Sequence, residues 1–303
     1  MTKIFAFCNQ KGGVGKTTSV VNISAALAAK GYKVLVIDLD SQANATSGLG
    51  EEKPANHEST AYQLIVENSE ISGLVKKTVL ENLFIIPSNT DLSGAELELI
   101  SRERREYALK SRLETLRDQY DFILMDCPPS LGLLTINALT ASDALIIPLQ
   151  CEYYALEGLS QLLSTYQLVK EKLNPDLEIG GVILTMADFR TNLTQQVIEE
   201  VKKYFKEKVF EAVIPRTVKL SEAPSFGKPG IIYDPSNRGS KNYLLVAKEF
   251  VKRFKPARHS DPERSEGEES QRIKSSLRKE AEILRRYIPQ DDIKTTQVEE
   301  NQS

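Results

Sequence analysis

The chain has 303 residues, 41 % hydrophobic and 27 % charged, with a formal net charge of −3 and a sequence pI of about 5.7. That length allows one large domain or two small ones with ample core, and both fractions are ordinary for a soluble globular protein. The charge balance does not announce a nucleic-acid partner, although a local basic patch can bind phosphates while acidic residues elsewhere cancel the total.

In chain order, Ile4-Phe5-Ala6-Phe7 predicts a buried strand that runs into a glycine-rich turn. Thr18 to Lys30 predicts a helix with Val21, Ala25, Leu27 and Ala28 on its apolar side, stopped by Gly31. Val34-Leu35-Val36-Ile37 predicts a second buried strand ending at Asp38, so the chain opens with a βαβ unit. The runs Leu83 to Ile86, Phe122 to Met125, Ala144 to Ile147 and Gly181 to Leu184 are short and continuously apolar. Such runs suit strands buried on both faces. Helices are expected over about 91–118, 154–173 and 192–206, a further strand near Val209 to Ile214, and a helix near Asn242 to Phe254. The alternation predicts one α/β domain over 1–255, a doubly wound, mostly parallel sheet with helices on both faces.

Beyond Lys255 the composition changes. Residues 256–270 read as a polar, disordered linker. Residues 271–288 read as an amphipathic helix, with Ile273, Leu277, Ala281, Leu284 and Ile288 near one stripe, and 289–303 as a disordered tail. The stripe has no Phe or Trp and no dense leucine face, and Glu280 and Glu282 dilute its basic charge, so stable membrane anchoring is not expected. Cys8, Cys127 and Cys151 have no metal-ligand spacing and read as reduced, buried thiols. No charged-then-apolar leader is visible, and no run approaches the roughly 20 apolar residues that cross a bilayer.

The chemistry concentrates in Lys11-Gly12-Gly13-Val14-Gly15-Lys16-Thr17-Thr18. The pattern G-x-x-x-x-G-K-[ST] fails at its first position, which is Gln10, but its physics survives. Glycines let backbone N–H groups approach phosphates, and a helix N-terminus adds positive potential. Lys16 would reach the β- and γ-phosphates of a nucleotide, and the Thr17 hydroxyl would ligand Mg²⁺. Three carboxylates close apolar strands. Asp38 and Asp40 follow the second, where one could orient an attacking water and the other hold a switch segment or the metal's water shell. Asp126 follows Phe122 to Met125 in the position of an acid that holds Mg²⁺ through water, and Pro128-Pro129 after it favours an extended loop.

With two glycines after Lys11, the loop resembles the deviant Walker A motif of the ParA/MinD superfamily of ATPases. Asp38-Leu39-Asp40-Ser41-Gln42-Ala43-Asn44 resembles its D-x-D-P-Q-G/A-N, with Ser41 in place of proline, and Asp126-Cys127-Pro128-Pro129 its D-x-P-P. The run Ile214-Pro215-Arg216-Thr217-Val218-Lys219-Leu220-Ser221-Glu222-Ala223-Pro224-Ser225 is similar to the ParA/Soj branch, as are Ile86 to Glu96 and Tyr233 to Gly239. The resemblance covers about 1–254. It implies a P-loop NTPase fold, ATP and Mg²⁺, and an ATP-dependent homodimer in which Lys11 contacts the partner's phosphates. It makes Asp40 the water-activating residue and sets Pro215 and Arg216 against the adenine. It implies non-specific binding of double-stranded DNA through Arg190 and Lys219, hydrolysis stimulated by a ParB-type protein, and a cytoplasmic, nucleoid-associated ATPase that partitions a chromosome or plasmid. Lys219 stands where relatives often carry arginine, which keeps the charge but loses the bidentate fork. The first motif strand starts at Ile4, so no N-terminal helix-turn-helix is expected. Rival readings are a positioning ATPase for a non-DNA cargo, a MinD-like membrane-surface regulator, and a metal-cluster carrier, which would need paired interface cysteines.

Overall fold

A computed structural model describes residues 2–55, 59–67, 69–152 and 157–255. The segments 256–270, 271–288 and 289–303 lie outside them. The elements run β1 (Lys3–Phe7), α1 (Lys16–Ala29), β2 (Val34–Asp38), α2 (Asn44–Gly48), β3 (Lys76–Lys77), β4 (Leu83–Ile86), α3 (Leu92–Ile100), α4 (Ala108–Leu113), β5 (Phe122–Asp126), α5 (Leu133–Ala141), β6 (Ala144–Gln150), α6 (Ser160–Lys172), β7 (Glu178–Thr185), α7 (Asn192–Phe205), α8 (Val218–Glu222), α9 (Gly230–Tyr233) and α10 (Arg238–Phe254).

The strands form one sheet in the order β3-β4-β2-β5-β1-β6-β7. All neighbours are parallel except β3, which pairs antiparallel with β4. Alternation along each strand splits the core into two layers. Ile4, Ala6, Leu35, Ile37, Ile123 and Met125 join α3 to α7 on one face. Phe5, Phe7, Val34, Val36, Phe122 and Leu124 join α1 and α10 on the other. Burying both faces is what turns the strand sequences into unbroken apolar runs. On the second face Phe5 meets Phe250 and Phe254 at centroid separations of 4.6 and 4.8 Å, and each fully buried ring contributes roughly 1.5–3 kcal/mol by burial alone. The strand order reverses about β1, which opens a crevice at the carboxyl ends of β1, β2 and β5.

Three expectations need correction. The helix over 91–118 is two helices, because no apolar residue between Leu99 and Leu109 is buried. At the break Arg104 has φ of 53°, and the Arg105 guanidinium donates to the Ile100 carbonyl at 2.7 Å in place of a helical N–H. The strand near Val209 to Ile214 is reduced to two isolated bridges, Val182 with Val209 and Ala187 with Pro215. Its middle turns to α10 instead: the Glu211 N–H donates to Glu249 Oε2 at 2.9 Å, and Asn242 Nδ2 donates to the Val213 carbonyl. The last helix starts four residues before Asn242, at Arg238, where the Asn237 side chain accepts the Gly239 N–H. Helix α5, which the sequence pattern does not announce, is nearly apolar all round because it lies in the core, and a helix without a polar face has no amphipathic period.

Candidate functional site

β1 delivers the glycine loop to the crevice. Asn9 anchors it, donating from Nδ2 to the Pro148 carbonyl at 2.8 Å and accepting the Lys11 N–H at Oδ1 at 3.0 Å. Gly13 and Gly15 have φ of 74° and 86°, a left-handed region that side chains disfavour and glycine occupies freely. Gly15 precedes α1, and no side chain caps the first turn of that helix. Its free N–H groups and dipole are therefore directed at the crevice. Thr185, at the end of β7, holds the loop from behind by donating Oγ1 to the Val14 carbonyl at 2.8 Å.

The floor of the crevice is buried and charged. Thr17 Oγ1 donates to Asp126 Oδ2 at 2.7 Å. Asp126 is fully buried, and its Oδ1 has no hydrogen-bond partner among the described residues. Burial, and then the neighbouring Asp38, push the Asp126 carboxyl well above the usual carboxylate range. Asp38 and Asp126 are register partners on β2 and β5. Burial pushes Asp38 up to about 6, against hydrogen bonds from Thr46 that pull it down. The Thr46 N–H and Oγ1 donate to Asp38 Oδ2 at 2.9 and 2.7 Å, so Asp38 fastens α2 to the sheet. Lys16 is 6 % exposed and donates to the Lys11 carbonyl at 3.2 Å. Burial lowers its pKa against the raising field of Asp126.

Asp40 is half-buried. Its Oδ1 accepts the Gln42 N–H at 2.9 Å, and its own N–H donates to Asp38 Oδ1 at 3.2 Å. Thr18 lines two cavities. The first, of about 400 Å³, also touches Thr17, Asn44, Ser47 and Lys228. The second, of about 450 Å³, is lined by Gly15, Thr185, Pro215, Arg216 and Tyr243, so Pro215 and Arg216 border a cavity that Asp126 does not line. Tyr243 OH lies 3.0 Å from Ser19 Oγ, which ties α10 to α1 beside this cavity.

At the rim, Lys11 is exposed and pairs with Glu152 Oε2 at 2.9 Å, while Arg216 approaches Oε1 of the same residue at 3.5 Å. Glu152 carries no motif signal; a place just past a strand's carboxyl end is its only mark. Thr46 and Thr185 are likewise found only once the chain is folded. Gly12 is exposed, with only Pro129 within 4.0 Å of where a Cβ would sit.

Arg190 and Lys219 are not in the crevice. They follow Ala187 and Pro215, the two residues of one isolated bridge. Each is held by a carboxylate near it in sequence, on its own loop for Arg190 and on α8 for Lys219. Arg190 donates to Asp188 from Nε at 2.8 Å and Nη2 at 2.6 Å, which keeps the Asp188 carboxyl down at about 2. Lys219 donates to Glu222 at 3.1 Å and lies over the Tyr233 ring. Cys8, Cys127 and Cys151 are buried free thiols. No helix among the described residues is long and apolar enough to cross a membrane.

Residues 2–179 match the family described as an AAA domain. The sporulation initiation inhibitor protein Soj of Bacillus subtilis is 60 % identical over 251 residues, which cover 83 % of this chain and 99 % of that protein. The chromosome partitioning protein ParA of Myxococcus xanthus is 51 % identical over 254 residues, covering 84 % and 89 %. Among solved structures, cobyrinic acid a,c-diamide synthase of Mycobacterium smegmatis, with a bound ATP analogue and magnesium, superposes with a TM-score of 0.73 at 35 % identity, covering 88 % of this chain and all of that one.

Proposed function

The chain belongs to the Soj/ParA family of partition ATPases, and from that premise we propose that it moves a chromosome or plasmid through an ATP-controlled homodimer that binds DNA. It is an ATPase that uses ATP and Mg²⁺. The observation that carries the site reading is the 2.7 Å bond from Thr17 to Asp126, with the second Asp126 oxygen buried and unpartnered. An orphaned buried carboxylate oxygen is costly, and a hydrated cation beside the Thr17 hydroxyl would satisfy it. The residues present therefore fit Mg²⁺.

In this reading Lys16, Thr17 and Asp126 hold the phosphate end, with the N–H groups of Gly12 to Thr18 around it. A Mg²⁺ held by Thr17, and through water by Asp126, would supply positive charge against the charge that develops on the phosphates. Asp40 accepts a hydrogen bond from the attacking water and orients it in line. Pro215 and Arg216 bound the adenine. Lys11 leaves its own rim to reach the phosphates of a second chain, so two chains complete two sites.

The dimer then presents Arg190 and Lys219 to double-stranded DNA. Both are now paired with partly exposed carboxylates, and such solvated pairs are weak, so a DNA phosphate can replace Asp188 or Glu222 at little expense. A ParB-type protein stimulates hydrolysis and releases the monomers. In this reading the protein works in the cytoplasm, on the nucleoid. The experiment is DNA binding with MgATP, MgADP and no nucleotide, at several salt concentrations, for wild type and Arg190→Ala. Binding is expected only with MgATP, blind to sequence and steeply salt-dependent. Arg190→Ala weakens it and reduces the salt slope by about 1. Binding without nucleotide, or none at all, would sink the mechanism; binding to an anionic vesicle instead would favour the membrane-regulator reading.

A further inference from the structure

Glu152 lies two residues beyond β6, in none of the motifs that define the nucleotide site. Its carboxylate nevertheless meets two of the residues expected to contact nucleotide. Oε2 lies 2.9 Å from Lys11 Nζ, at the phosphate loop, and Oε1 lies 3.5 Å from Arg216 Nη2, at the adenine side. Gln150 Nε2 donates to Oε1 and fixes the carboxylate between them. The side chains of Lys11 and Arg216 are 47 % and 62 % exposed, so each has open solvent to move into. Both nonetheless rest on one carboxylate, which supplies negative charge where a nucleotide would otherwise supply it.

We propose that Glu152 is an intramolecular competitor for nucleotide, a latch that draws Lys11 and Arg216 onto one carboxylate at rest and yields Arg216 to the chain's own nucleotide and Lys11 to the phosphates of a second chain. The proposal rests on Lys11 and Arg216 being nucleotide contacts. Its strength follows from exposure. Solvated pairs of this kind are individually weak, so together they bias the site by roughly three- to tenfold. That bias is small enough for a triphosphate to overcome. It is also large enough to keep Lys11 out of reach of a second chain while nucleotide is scarce.

The test compares wild type with Glu152→Gln and Glu152→Asp in two titrations with MgATP. The first measures affinity on protein dilute enough to stay monomeric. The second measures, by light scattering, the ATP concentration that gives half-maximal dimer. Glu152→Gln is expected to lower both by about three- to tenfold, and Glu152→Asp, which keeps the charge but not the reach, by less. The gain shrinks at high salt, and the affinity gain disappears in an Arg216→Ala background, which a merely structural role for Glu152 would not produce. Unchanged or weaker titrations in a Glu152→Gln protein with wild-type melting temperature would overturn the latch and make Glu152 a structural anchor or a member of the assembled site. If wild type binds MgATP but never dimerises, the partition reading fails on its own, while tighter monomer binding by Glu152→Gln still upholds the competitor.

Discussion

On the floor of the crevice, Asp38, Asp126 and Lys16 are buried and their pKa values are displaced by that burial. On the rim, Lys11, Glu152 and Arg216 are exposed and meet one another as surface ion pairs, and outside the crevice Arg190 pairs with its own loop in the same way. The groups are of the same kinds, but water separates their roles. A buried charge cannot leave its position without a large desolvation change, so the floor is a fixed template. An exposed pair exchanges partners within about 1 kcal/mol, so the rim can be rewired by nucleotide, by a second chain or by DNA.

Asp40 sits where floor and rim meet, and its replacement gives the largest expected effect. Asp40→Ala should lower turnover by roughly 10²- to 10⁴-fold, the range of a positioned general base. Dimer formation with MgATP should survive, because among the described residues the carboxylate accepts only the Gln42 N–H within its own turn. Phosphate release and light scattering on the same samples check it. Normal turnover would remove Asp40 from the chemistry, and loss of the dimer would make it part of the fixed floor.

Lys16→Ala sharpens the comparison from the buried side. The ammonium makes one long hydrogen bond to the Lys11 carbonyl, and its burial disfavours its charge. Removing it should leave the melting temperature within a few degrees of wild type, or raise it, because a buried charge is relieved. MgATP affinity should fall by roughly 100-fold or more, the loss of two charge-assisted hydrogen bonds at about 1.5–3 kcal/mol each. A clear drop in melting temperature would show that the lysine serves the fold rather than the ligand.

The sequence made the central strands legible because a strand buried on both faces has to be apolar throughout, as Val34 to Ile37 and Phe122 to Met125 are. It hid α5 for the same reason, since a helix in the core also lacks a polar side. The segment after Val209 reads as a strand by composition, and Phe210 and Ile214 still donate to the Val182 and Leu184 carbonyls of β7. But four residues of it span two of β7, and the Glu211 N–H and Val213 carbonyl between them turn to Glu249 and Asn242, a kink that no local pattern reports. The site divides likewise. Lys11 to Thr18 is one continuous segment, so its geometry is local. The contacts that hold it, Thr185 to Val14 and Asn9 to Pro148, join residues far apart in sequence. Glu152 matters only because folding sets two distant cations against it.

The smallest expected effect is a pH dependence of the floor in the absence of nucleotide. The Asp38 carboxyl stands near 6 in the folded chain against an ordinary value of 3.8. Its folded value is raised, so the folded state binds more protons than the unfolded one between the two values. Asp38 therefore favours the fold most fully below about 4, and that contribution is lost as pH rises through 6. Exposed acids with lowered values, such as Asp188 at about 2, act in the opposite sense, but only below about 4, outside this window. Asp126 is raised in the same sense and partly by Asp38 itself, so Asp38→Asn removes one titrating carboxyl together with its push on Asp126, and both changes act in the same direction. Asparagine can still accept from Thr46 but cannot titrate. Wild type minus Asp38→Asn should show the melting temperature gaining a few degrees between about pH 7.5 and 5. The rim variant Glu152→Gln should leave that slope unaltered. A difference that runs the other way would mean that the Thr46 hydrogen bonds outweigh burial at Asp38, and the floor would then hold its carboxylates as anions without a bound cation.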